Sequence, residues 1–325
     1  MKKHIVMLLV LLCISICYIP VSVWGATEVR IAHSTWVGYG PLYIARSKGF
    51  FEKQGLKVEL PVMEERHLIL EALSEGKIDG YCGAMDQEVM TFSQGAPIVV
   101  VLALDESLGG DGIISSKAIK SVRQLKGKTI GLDKSSTSYF FFLSALQQSG
   151  LSEGDMTINQ MSAGDAGSAF MAGDLDAAVT WEPWLTMAAD RPDTHVLVDT
   201  RKLPATIVDV LVLRRDFAQG DTRAVTGLIK AWYEAVKWFE DNREAGYALM
   251  AEEMNIDASK ITSMVSGVSF YGADRSPGFF RTSGSNTLFG LAQRAARFWQ
   301  DRGLIEKPVD IKALIDPEFV GQAGK

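Results

Sequence analysis

Ser74-Glu75-Gly76-Lys77-Ile78-Asp79 recurs 97 residues later as Met171-Ala172-Gly173-Asp174-Leu175-Asp176. The first copy closes a helix-like run, Leu68–Ser74, at Gly76. A second pair of segments repeats in the same order, Val29 to Gly49 returning as Thr129 to Gly150. Each begins as a strand, passes through a turn and continues as a helix. The turn is Trp36-Val37-Gly38-Tyr39-Gly40 in the first copy and Asp133-Lys134-Ser135-Ser136-Thr137 in the second. A period this long excludes a solenoid and describes two similar α/β lobes of about a hundred residues each.

The neighbouring segments agree. Glu28–His33 reads as the opening strand, and Pro41 sits near the first position of the following helix, where its missing N–H costs nothing. Lys57–Val62 alternates apolar and polar, as a half-buried strand does. Ile98–Leu104 is the uninterrupted run IVVVLAL, the pattern of a parallel strand buried on both faces. Beyond Asp216, Ala224–Phe239 and Asn286–Trp299 carry apolar residues at helical spacing and need a sheet face to cover. The expected fold is therefore α/β, with two similar lobes, each a mostly parallel sheet flanked by helices. Two hinge crossings join them, near Asp105–Gly112 and Asp209–Arg214, above a cleft. Lobe one takes residues 26–111 and 214–325, and lobe two takes 112–213.

Of the 325 residues 47% are hydrophobic and 22% charged, the balance of a globular protein. Lys+Arg is 33 against Asp+Glu 39, a net charge of −6, which argues against nucleic acid as a partner. Lys2 and Lys3, an apolar run broken at Pro20, and Val23-Trp24-Gly25 form a secretory signal peptide over residues 1–25, with the mature chain starting at Ala26 in the periplasm. A leader retained as a membrane anchor is the other reading. Leu12 and Ile16 precede Cys13 and Cys17, where lipid attachment wants a small residue. After cleavage only Cys82 of the 3 cysteines remains, so no internal disulfide is expected. No nucleophile elbow, phosphate loop or dinucleotide fingerprint is present, and His33, His67 and His195 lack metal-ligand spacing. No catalytic residue, metal or cofactor is expected.

Gly40–Leu56 (GPLYIARSKGFFEKQGL) resembles the opening of nitrate/sulfonate/taurine-type solute-binding proteins of ABC importers. So do Gly76–Asp79, Leu125–Lys128, the Ser135–Ser138 turn and Asp176–Trp184 (DAAVTWEPW). The resemblance implies a type II-like periplasmic binding protein, a two-lobed flytrap. It would act as a monomer, handing a small solute to a membrane permease and its ATPase. Two other classes stand beside it: a ligand-sensing domain, and an enzyme like the fungal thiamine-pyrimidine synthase. The latter needs a cysteine cluster that this chain lacks once the leader is removed.

Ligands in open α/β sheets bind beyond the carboxyl ends of strands, where helix N-termini point. Four such places are readable. Trp36 and Tyr39 lie in the first turn. Asp86 stands at a helix start, suited to an ammonium or amide, with N-capping as the structural alternative. Ser135, Ser136 and Thr137 cluster hydroxyls before a helix with no carboxylate in its first turn, which makes an anion site. Trp181 and Glu182 form the fourth, where the resemblance points to Trp181 as pocket lining and Glu182 is also a plausible cap. Asp111 and Asp209, at the crossings, are weaker candidates. A cleft polarised in this way fits a small zwitterion such as taurine. The runner-up is a nitrogen-rich neutral or cationic solute, such as urea, guanidine or a pyrimidine.

Overall fold

The structure is a computed structural model that describes residues 25–203 and 206–324. The leader, with Cys13 and Cys17, lies outside the described residues. Among the described residues eleven strands form two sheets. They are β1 Thr27–Ala32, β2 Leu56–Glu59, β3 Gly80–Ala84, β4 Ile98–Ser107, β5 Asp111–Ser116, β6 Thr129–Leu132, β7 Thr157–Gln160, β8 Ala177–Trp181, β9 Thr194–Asp199, β10 Val208–Arg214 and β11 Val268–Phe270. The larger sheet runs β11-β4-β10-β3-β1-β2 and the smaller β7-β6-β8-β5-β9.

The repeat has a physical counterpart in both sheets. Gly76 and Gly173 each end a helix with positive φ, 69° and 91°, which favours glycine. Three residues on, Asp79 accepts from the Arg30 N–H and Asp176 from the Thr129 N–H, each at 2.9 Å. The two aspartates thus do one job twice, tying the start of β3 to β1 and the start of β8 to β6.

Each sheet is parallel on one side and antiparallel on the other. β2, β1 and β3 are parallel, as are β7, β6 and β8. The crossings supply the antiparallel half. β4, expected as a parallel strand, is buried throughout Ile98–Leu104 but pairs antiparallel with β10 on one side and β11 on the other. A continuous apolar run reports burial on both faces; it carries no information about strand direction. The return crossing also falls earlier than the sequence boundary. β10 belongs to the larger sheet, inserted between β3 and β4, so the smaller sheet ends at Asp199 rather than at residue 213.

The helices Thr222–Asp241 and Leu288–Gln300 bury one face each, with Trp232 and Trp299 nearly inaccessible. Among the described residues no helix is long and apolar enough to cross a membrane. Cys82 is a buried free thiol.

Candidate functional site

The lobes meet at the end of the larger sheet, where β3 ends, β4 ends and β10 begins. Asp209 pairs with Ala84 of β3 on one side and with Asp105 of β4 on the other. Asp86 follows Ala84 by two residues, in the first turn of the helix Met85–Ser93. β4, β10 and β3 are neighbours in the sheet, so Asp105, Asp209 and Asp86 follow one another across it, the last from the helix just past β3. Asp111, the first residue of β5, approaches from the other lobe. All four are buried, with exposures of 1% (Asp86), 0% (Asp105), 4% (Asp111) and 6% (Asp209).

Each carboxylate of the row has a partner that fixes its position. Trp36 Nε1 donates to Asp105 Oδ1 at 3.1 Å. Tyr39 Oη donates to Asp209 Oδ1 at 3.2 Å. Thr137 Oγ1 donates to Asp86 Oδ1 at 2.9 Å, across the cleft. The second oxygens of Asp86 and Asp105 are buried without a hydrogen-bond partner. Burial raises all four acids above the usual carboxylate range. Asp86 reaches about 7 from burial, against the pull of the Thr137 hydroxyl and Arg66. Asp105 reaches about 8 from burial, opposed by the Trp36 hydrogen bond and reinforced by Asp111 and Glu106. Asp111 reaches about 7 from burial, with Glu182 adding repulsion. Asp209, in the middle, is pushed well up by burial and then by Asp105, Asp111 and Asp86.

The proposed anion pole is built differently from the sequence expectation. Ser136 caps the helix Thr137–Ser149, accepting from the Ser138 N–H. Ser135 is exposed and gives its hydroxyl to Asp133, while Thr137 gives its own to Asp86. The helix start that lacked a carboxylate in its own sequence faces one from the opposite lobe. Glu182 accepts from both the N–H and the hydroxyl of Thr186, each at 2.9 Å, and so caps its own helix. Trp181 is half-buried beside Asp111 in the ladder, and the Trp184 indole packs against Gly167 within the second lobe.

Two contributors were missed from sequence. Asp105 had a signal: it ends an otherwise apolar run, and a charge buried there is costly unless it has a task. Trp299 had none. It stacks on Tyr139 of the other lobe at 6.0 Å and donates its indole N–H to the Asp86 carbonyl at 3.2 Å. Gln87 adds a further bridge, to the Ser135 carbonyl at 2.7 Å. At the crossing, Gly110 has no room for a side chain, since a Cβ there would fall 2.4 Å from the Trp36 ring. His33 is buried, its Nδ1 at 2.6 Å from the Ser34 carbonyl oxygen and its Nε2 at 3.0 Å from the Tyr43 hydroxyl.

These groups predict a pH dependence. A carboxyl whose pKa is raised on burial binds more protons in the closed protein than when exposed. Its stabilisation is present in acid and lost as pH rises through the raised value. Asp86, Asp105, Asp111 and Asp209 all act in this direction, with Glu106, Glu182 and Glu88 nearby and Arg66 opposing at Asp86. Buried His33, held below its ordinary value by desolvation, acts the other way as a single group. The melting temperature of ligand-free protein should therefore fall between about pH 5 and pH 8. A flat or rising profile would show that the acids are hydrated rather than buried.

The chain is 25% identical over 302 residues to a putative aliphatic sulfonates-binding protein of Bacillus subtilis, covering 91% of this chain and 88% of that one. It is 28% identical over 215 residues to the taurine-binding periplasmic protein of Escherichia coli, covering 65% and 66%. The crystal structure of the periplasmic aliphatic sulphonate binding protein of Escherichia coli superposes with a TM-score of 0.74 at 24% identity, over 91% of this chain and 99% of that one. The family described as NMT1/THI5 like matches residues 36–245, and the chain belongs to it.

Proposed function

We propose that the chain is the extracytoplasmic solute-binding component of an ABC importer. It captures a small polar solute of the sulfonate and taurine type between its lobes and delivers it to a membrane permease. The observation that carries this reading is the pairing of two lobes through a buried polar seam, with Asp86 of one bonded to Thr137 of the other. Such a seam opens and closes about the two crossings as the lobes rotate. The relatives' names, sulfonate binder and taurine binder, support the solute class. The leader reading supports export, with cleavage before Ala26 and action in the periplasm.

Binding rather than turnover follows from how the site's groups are used. Glu182 and Ser136 are committed to helix caps, and His33 is committed to Ser34 and Tyr43. A thermal-shift and solution-scattering screen of the mature chain with taurine, alkanesulfonates and amino acids tests the proposal. A cognate solute should raise the melting temperature by mass action and contract the particle. The solute should be recovered unchanged; a reaction product, or contraction with no solute of any class, would overturn it.

A further inference from the structure

From the row of carboxylates we infer that the cleft recognises its cargo through a positively charged nitrogen group, so that a sulfonate solute is held only when it also carries one. The inference rests on the solute-capture reading and narrows its cargo. Asp209 and Asp105 lie opposite each other in the β10–β4 ladder, and Asp86 follows from the helix that starts where β3 ends, on the other side of β10. Asp111 faces the row from the second lobe. Among the described residues no arginine or lysine bonds to any of the four. Arg66 is the cation whose field reaches the row, at Asp86, and its guanidinium is already bonded to Glu88 and Thr91.

The second observation is the pair of orphaned oxygens. Asp86 Oδ2 and Asp105 Oδ2 are buried acceptors without a donor, one toward each end of the row. A buried carboxylate oxygen left unpaired is costly, and the donor that best relieves it is a charge-assisted N–H. Trp36 and Tyr39 stand beside the row, each bonded to one of its acids, so the aromatic groups of the site are aligned with the acids rather than with an anion clamp. Of the hydroxyls at the helix start that would hold a sulfonate, Thr137 is bonded to Asp86, while Ser135 and Ser136 are bonded to Asp133. A sulfonate placed there meets a carboxylate instead of a cation. Among the described residues no group of three or more His, Cys, Asp or Glu side chains is disposed to hold a metal ion.

Calorimetry with four probes decides this: 1,3-diaminopropane, methylguanidinium, taurine and ethanesulfonate. The two cations and zwitterionic taurine, each with a charged nitrogen, should bind, and ethanesulfonate should not bind at millimolar concentration. Asp105→Asn and Asp209→Asn keep the size and one acceptor while removing a charge, and each should weaken the cations about tenfold or more. Asp86→Asn gives a third variant should either of these fail to fold. Ethanesulfonate binding as tightly as the cations would overturn the inference, as would cation binding indifferent to all three variants or no cation binding at all. If ethanesulfonate alone contracts the protein in scattering, only the charge assignment fails. If no probe and no other sulfonate contracts it, the solute-capture reading fails as well.

Discussion

Arg66→Met should destabilise the protein by about 3–5 kcal/mol, because it strands a buried charge. Glu88 is fully buried, with 0% side-chain exposure, and Arg66 Nη2 lies 3.1 Å from both of its oxygens. The Tyr81 hydroxyl donates to the same carboxylate. Removing the guanidinium leaves Glu88 with a neutral hydrogen bond and no counter-charge in a site that water does not reach. Breaking such a pair is far more damaging than its net worth suggests, since both desolvation costs were already met in assembling it. The double variant Arg66→Met, Glu88→Gln should regain most of the loss, because the orphaned charge is gone. Urea unfolding measures both, as a shift in midpoint at constant slope. A single-variant loss under about 1 kcal/mol would mean that solvent screens the pair as it does a surface bridge. The helix that Glu88 anchors also carries Asp86, so the single variant should lose solute affinity along with stability.

Trp232→Ala should cost a comparable amount, about 3–5 kcal/mol for a large aromatic removed from a core. Trp232 is 1% exposed on the helix Thr222–Asp241, and its indole N–H donates to the Tyr271 carbonyl at 2.9 Å. Its ring meets Phe270 edge-on at 6.3 Å. Alanine would leave a cavity and an unpaired carbonyl together. Trp232→Phe, which keeps most of the volume and loses only the hydrogen bond, should cost about 1–2 kcal/mol. Equal losses for the two variants would show that the hydrogen bond, and not packing, is what the residue contributes. The consequence extends to the site. Phe270 lies opposite Asp105 in the β11–β4 ladder, so loosening this corner frees the strand that holds Asp105 in the row.

Glu88 illustrates how far a local reading reaches. From the sequence it is an acid near a helix start, complementing the helix dipole. In the fold its partner is Arg66, 22 residues earlier, and nothing in the intervening chain signals that pairing. Asp86 was legible as a candidate because helix starts after strands are where such folds bind. Its partner Thr137 belongs to a separate segment that was read as an anion pole. The two readings were each locally sound, and contact between the lobes joined them into one hydrogen bond.

Two lobes, their repeated strand-turn-helix unit and the aspartates Asp79 and Asp176 were determined by the sequence alone. Each depends on the spacing of residues within a short segment, and spacing survives translation into any tertiary context. Strand direction and register were decided only by the tertiary structure. β4 is as apolar as a parallel strand, yet β10 returns from the second lobe and pairs against it in the opposite sense. That insertion sets Asp209 beside Asp105, residues 104 apart in the chain, and brings the row of carboxylates into being. Backbone pairing between distant strands is settled by which edges remain open once the lobes have formed, a competition among whole segments that no single segment records.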